Sequence, residues 1–163
     1  MTDKITPCIW YDNVQARAAA EFYMSLGLPD SRIDKVHASP TDTPSGKAGE
    51  ELMVEFTLAG RSFLGLNGGP IFPQTEAVSF IIQTEDQAET DRLWDAIVGN
   101  GGAESVCGWC KDRWGVSWQV TPRQLMAFHT DPNPARAKAA FDAMMKMKKI
   151  DIATLEAAAD AAG

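Results

Sequence analysis

One order of elements, a strand followed by an amphipathic helix and then further strands, occurs twice along the chain, over about residues 4–68 and 77–122. A chain that repeats such a unit is expected to fold as two copies of one supersecondary module. In the first copy, Lys4–Trp10 reads as a strand and Asp12-Asn13 as a helix cap. Val14–Leu26 then sets Ala18, Ala19, Phe22, Tyr23 and Leu26 on one helical face, and Gly27 stops the helix. Arg32–Ala38 is a second strand, and the turn-forming segment Ser39–Gly49 predicts a mobile loop. Glu51–Leu58 and Arg61–Asn67 are strands joined by Ala59-Gly60, a connection short enough for a tight hairpin.

The second copy opens with the strand Val78–Gln83. Thr84-Glu85-Asp86-Gln87 has the spacing of a capping box, and the helix it opens buries Thr90, Leu93, Trp94, Ile97 and Val98 before Gly99 stops it. Short strands fall within about Glu104–Lys111, a turn at Asp112–Gly115, and the last strand over Val116–Thr121. Residues 1–130 therefore read as paired modules and 131–163 as a helical extension packed on the domain or on a dimer interface. In that extension Asn133 caps a helix with Pro134 at its first position. Its apolar face holds Ala137, Ala140, Phe141, Met144 and Met145, and methionines suit adaptable contacts. Asp151 caps a last helix carrying Ile152, Leu155 and Ala159. His129 is expected in a loop.

A formal charge of −7 argues against nucleic-acid binding, which needs concentrated Lys and Arg. No apolar run reaches the roughly 20 residues of a membrane helix, and the N-terminus has no signal-peptide core. Three cysteines suit no secreted disulfide framework, so the expected location is cytoplasmic.

Four stretches taken together carry a resemblance: Ile5–Asp12, Phe63–Pro70, Cys107–Gln119 and Met147–Glu156. The chain resembles the PhnB-like branch of the vicinal-oxygen-chelate superfamily, which includes glyoxalase I and bleomycin-resistance proteins and whose branch carries the label 3-demethylubiquinone 3-methyltransferase-like. The resemblance implies an α+β fold of two βαβββ modules in a partly open, barrel-like sheet with a cleft, and a homodimer. It also implies four metal-ligand positions, near Ile5, Gly65 or Asn67, Ala77 and Gln119 of this chain. Isoleucine and alanine cannot coordinate a metal, and neutral amides are poor partners for zinc, so no metal is expected there. The glycine clusters at 65–69 and 99–102 open no helix, which disfavours a methyltransferase reading and leaves no expected cofactor.

The expected function is then metal-free binding of a small molecule in the cleft, through Asn67, Gln119, Cys107, Trp109 and Ser117. Alternatives are a metal-dependent enzyme of glyoxalase or dioxygenase type, a thiol enzyme using Cys107, and an interaction role for the C-terminal face. The Cys107–Cys110 pair lacks the helix N-terminus that activates a redox thiol. Glu51 and Glu55, two apart on one strand, are read as a solvated face.

Overall fold

A computed structural model describes residues 4–163; residues 1–3, part of the segment read for a leader, lie outside it. The chain divides into two compact units, residues 1–73 and 74–163. Each contains one copy of the same topology.

In the first unit, β1 (Cys8–Tyr11), α1 (Ala16–Ser25), β2 (Arg32–Ala38), β3 (Glu51–Leu58) and β4 (Arg61–Asn67) form a four-stranded sheet in the order β1-β4-β3-β2. β1 lies parallel to β4, and the other pairings are antiparallel. The strand of residues 4–10 thus starts later than expected, at Cys8, and Ile5 stands 88% exposed ahead of it. Helix α1 also starts late, because Asn13 and Val14 adopt φ values of 50° and 57°, outside the helical region. Its buried face is Ala16, Ala19, Ala20 and Tyr23. Alanines let the helix lie close to the sheet: a Cβ on Gly65 of β4 would come within 3.0 Å of the Ala16 Cβ. Ala59 and Gly60 both have positive φ, 48° and 75°, as a hairpin turn of the I′ kind requires.

Alternation divides this sheet into two faces. Ile9, Tyr11, Val54, Phe56 and Phe63 are buried on the helix side. The row Trp10, Leu66, Met53 and His37 runs across the other, where all four are half-buried. The expected mobile loop 39–49 is tied down by backbone bonds between Ser39 and both Gly49 and Glu50, and Asp42 accepts from Lys47 Nζ and Ala48 N.

The second unit repeats the plan with β5 (Ser79–Thr84), α2 (Gln87–Gly99), β6 (Ala103–Glu104), β7 (Trp109–Lys111) and β8 (Ser117–Pro122), in the order β5-β8-β7-β6. Neither sheet is closed into a barrel. The helix cap is Asp86, which accepts from Glu89 N, and not Thr84; Thr84 ends β5 with its hydroxyl against that of Thr90. Thr90, Leu93, Trp94 and Ile97 are buried as expected, whereas Val98 is only half-buried. The left-handed residue after the helix is Gly101, not Gly99.

Three helices complete this unit: α3 (Arg123–His129), α4 (Pro134–Met144) and α5 (Ile152–Asp160). Helix α3 was not foreseen, and it places His129 at a helix end instead of in a loop. Asn133 and Asp151 cap α4 and α5 as the sequence predicts. Only Ala140 and Met144 of the α4 stripe are buried, while Phe141 and Met145 are 45% and 54% exposed. The extension is stitched to its module. Gln87 of α2 donates to Ile150 O and accepts from Ile152 N, and the amides of Cys107 and Gly108 donate to Met147 O and Lys148 O. Leu125, Met144, Ile150 and Leu155 form a common apolar cluster. Among the described residues, no helix is long and apolar enough to cross a membrane.

Candidate functional site

The turn between β7 and β8 is built on one carboxylate. Asp112, 3% exposed, accepts from Trp114 N and Val116 N through Oδ1 and from Trp118 Nε1 through Oδ2, each at 3.0 Å. This draws Trp118 into the core and fixes which residues of the hairpin face the other way. Pairing then sets Lys111 opposite Ser117 and Trp109 opposite Gln119. On the far side of β8, Ser117 pairs with Ser79 and Gln119 with Ile81.

These residues border a half-open pocket of about 230 Å3, lined by Glu76, Ala103, Glu104, Ser105, Trp109, Cys110, Lys111 and Ser117. Lys111 Nζ lies 2.6 Å from Glu76 Oε1. That hydrogen bond, with the lysine charge, holds the Glu76 carboxyl below its ordinary range. Glu104 is similarly lowered, by Lys148 at 2.8 Å. The Ser117 hydroxyl is different. It is buried, with the residue 1% exposed, and has no hydrogen-bond partner among the described residues. A buried hydroxyl without a partner is costly, and it marks a place where a bound group can supply the missing bond.

Of the five expected binding residues, Trp109 and Ser117 line this pocket. Gln119 is nearby on the same strand, its Nε2 donating to Ser79 Oγ at 2.9 Å. Cys107 is turned elsewhere. Its Sγ lies 3.6 Å from Met145 Sδ, and the side chain packs against the apolar cluster of the C-terminal helices. Cys110 occupies the core at 1% exposure, where burial, then the Asp112 charge, push its thiol up to about 12. The two cysteines therefore do not form a reactive pair.

Both ends of the Asn67 amide are engaged within the fold. The residue lies in the first unit, 5% exposed, on the helix side of its sheet. Its Oδ1 accepts from Ala16 N at 2.9 Å and its Nδ2 donates to Glu51 O at 2.8 Å. It caps α1 from a distance, which Gln15, with no capping side-chain bond, does not do. The face read as solvated is also engaged: Glu51 pairs with Arg17, Glu55 with His37 at 2.6 Å, and Thr57 donates to Asp34.

Lys111 and Glu76, which also line the pocket, are not among the five residues expected to bind. Strand alternation already put Lys111 on the face of Trp109, but the partner Glu76 sits in a loop whose path no pattern gave. For metal binding the donors do not fit. Ile5 and Ala77 are exposed, Asn67 is committed, and Gln119 donates to Ser79. Among the described residues, no three His, Cys, Asp or Glu side chains come together to hold an ion.

Residues 3–121 match the family model described as 3-demethylubiquinone-9 3-methyltransferase. Among solved structures, the chain is similar to a protein from Bacillus cereus titled a putative 3-demethylubiquinone-9 3-methyltransferase, PhnB protein, with 29% identity and a TM-score of 0.64. The match covers 74% of this chain and 99% of that one. A Pseudomonas aeruginosa protein is 18% identical over 74% of this chain and 98% of its own, with a TM-score of 0.52. The fosfomycin resistance protein FosX from Listeria monocytogenes is 11% identical over 75% and 93%, with a TM-score of 0.49. No curated protein gives a significant match.

Proposed function

Because the chain belongs to the 3-demethylubiquinone-9 3-methyltransferase family, a PhnB-like branch of the glyoxalase superfamily, we propose that it is a metal-free binding protein for a small organic molecule. The observation that carries this reading is the buried Ser117 hydroxyl, without a partner among the described residues, in a pocket walled by Trp109 and Lys111. Pockets for drug-sized ligands measure roughly 300–1,000 Å3, so one of about 230 Å3 suits something smaller. Trp109 supplies a flat apolar wall, and Ser117 and Lys111 supply orientation. Gln119 borders the same face, while Cys107 and Asn67 serve the fold.

The family description names a methyl transfer, which is no part of this proposal. The glycines at 65–69 end β4 and those at 99–102 follow α2, so neither cluster brings a helix N-terminus to a cofactor. A metal-dependent reaction is likewise left aside, since the donor set at the superfamily positions does not fit an ion. We also propose a homodimer in the cytoplasm. The exposed Met126 of α3, Phe141 of α4 and Met145 at the end of α4 support self-association, which light scattering on a size-exclusion column would measure.

The test of binding is a thermal-shift screen of a metabolite panel against the wild type and Ser117→Ala. A true ligand raises the melting temperature with the logarithm of its concentration over Kd once that ratio exceeds one, and by less in the variant. A panel that moves neither protein refutes the reading.

A further inference from the structure

We infer that the pocket on the second sheet selects a small carboxylate attached to a planar apolar body, with Lys111 and Ser117 holding the carboxylate and Trp109 the ring. This rests on the binding reading above and names its chemical class. Lys111 and Ser117 are direct partners across the antiparallel β7–β8 pair. Side chains at such positions start about 5 Å apart on one face, a span that one carboxylate can bridge. The lysine is two-thirds buried, at 33% side-chain exposure, and the partner it has is Glu76, whose side chain is 64% exposed. Glu76 therefore occupies the anion position as a carboxylate of the chain itself, and its exposure lets it swing into water when a ligand carboxylate takes its place. Ser117 then gains the acceptor its hydroxyl lacks. Trp109 lies two residues before Lys111 on the same strand, hence on the same face, and presents a ring to a planar body. Glu104, which also lines the pocket, is paired with Lys148 at 2.8 Å, and that pairing reduces its repulsion of the anion.

The probes are benzoate, benzamide and benzylammonium, which share a ring and differ in the charged head, titrated calorimetrically into the full chain. Benzoate is expected to bind at least about tenfold more tightly than the other two, as a charge-assisted bond requires. Lys111→Met should weaken benzoate roughly tenfold or more, and Ser117→Ala about threefold to tenfold. Glu76→Gln should tighten it about threefold, because an internal competitor is lost while the surface pair it breaks contributes little. That opposite sign separates competition from general damage; Glu76 is 64% exposed, and Lys111→Met keeps the length of the apolar stem, so both variants are expected to fold.

Benzamide or benzylammonium binding as well as benzoate, at a site weakened by Trp109→Leu, overturns the carboxylate class and leaves the binding reading standing. Weaker benzoate binding in Glu76→Gln also overturns it. Silence of all three probes removes the carboxylate assignment, and silence of the metabolite panel as well removes the binding reading.

Discussion

Replacing Asn67 by alanine tests whether this residue serves the fold or a ligand. The substitution deletes two hydrogen bonds, from Ala16 N at 2.9 Å and to Glu51 O at 2.8 Å. Ala16 is fully buried and opens α1, so its amide has no partner within the helix and no route to water. Leaving such a donor unsatisfied costs about 1–3 kcal/mol, and the lost bond to the Glu51 carbonyl adds about 1 kcal/mol. The expected destabilisation is thus about 2–4 kcal/mol, or a melting temperature lower by roughly 5–15 °C. Asn67→Asp keeps the acceptor for Ala16 and loses the donor to Glu51, so it should fall between wild type and alanine. Urea unfolding followed by circular dichroism measures both, with an unchanged slope as the sign that stability alone has moved. A loss below about 1 kcal/mol for Asn67→Ala, accompanied by weakened ligand binding, would refute the structural role and restore the residue to the site.

Ala59→Gly relieves a left-handed alanine with φ of 48° and should raise stability by about 0.5–1 kcal/mol in the same assay; a loss would mean that the turn does not hold this conformation in solution. Asp42, Glu51, Asp91 and Asp151 have carboxyls held below the usual range, each chiefly by a side-chain hydrogen bond, from Lys47, Arg17, Gln87 and Thr154 respectively. Their contribution is complete above the ordinary values of about 3.9–4.3 and is lost as pH falls through the lowered folded ones, so melting temperature should decline below about pH 4.5. Iodoacetamide at pH 8 should spare Cys110 in the native protein and label it after denaturation, as peptide mass spectrometry would read; rapid native labelling would contradict a buried thiol pushed to about 12. Gln119→Glu, purified without chelators, should carry well under one metal ion per chain by elemental analysis, since among the described residues no three His, Cys, Asp or Glu side chains gather to join it.

Much of the fold was legible because local chemistry and global pattern agree. β2, β3 and β4 keep the limits that alternation gave, and Ala59-Gly60, Asn133-Pro134 and Asp151 announce their turn and caps directly. The misreadings share a cause. Val14 looks helical in pattern after an Asp12-Asn13 cap, yet α1 waits for an acceptor supplied 51 positions later by Asn67. Helix α3 follows Pro122 without a capping side-chain bond, so its start left no mark in the sequence. The shared face of Trp109, Ser117 and Gln119 was legible from alternation on neighbouring strands. Glu76 was not, because it meets Lys111 from a loop, and a partner 35 residues away leaves no periodic signal. The surroundings of Cys107 come from the C-terminal helices, which no local pattern links to it.

The two copies of the module also differ in when they can be finished during synthesis. Parallel pairing of β1 with β4 means that the first sheet closes once the ribosome has released residue 67, and every strand it needs has then emerged. The second sheet has its last strand by residue 122, but Gln87, Cys107 and Gly108 find their partners only among residues 147–152, and Leu125 meets Leu155 later still. The first unit is ready about 90 residues before the second, a lag of several seconds at typical elongation rates of roughly 5–20 residues per second. Through that interval the second module carries bare apolar surface, and a premature stop before Leu155 leaves one finished half joined to one that cannot close.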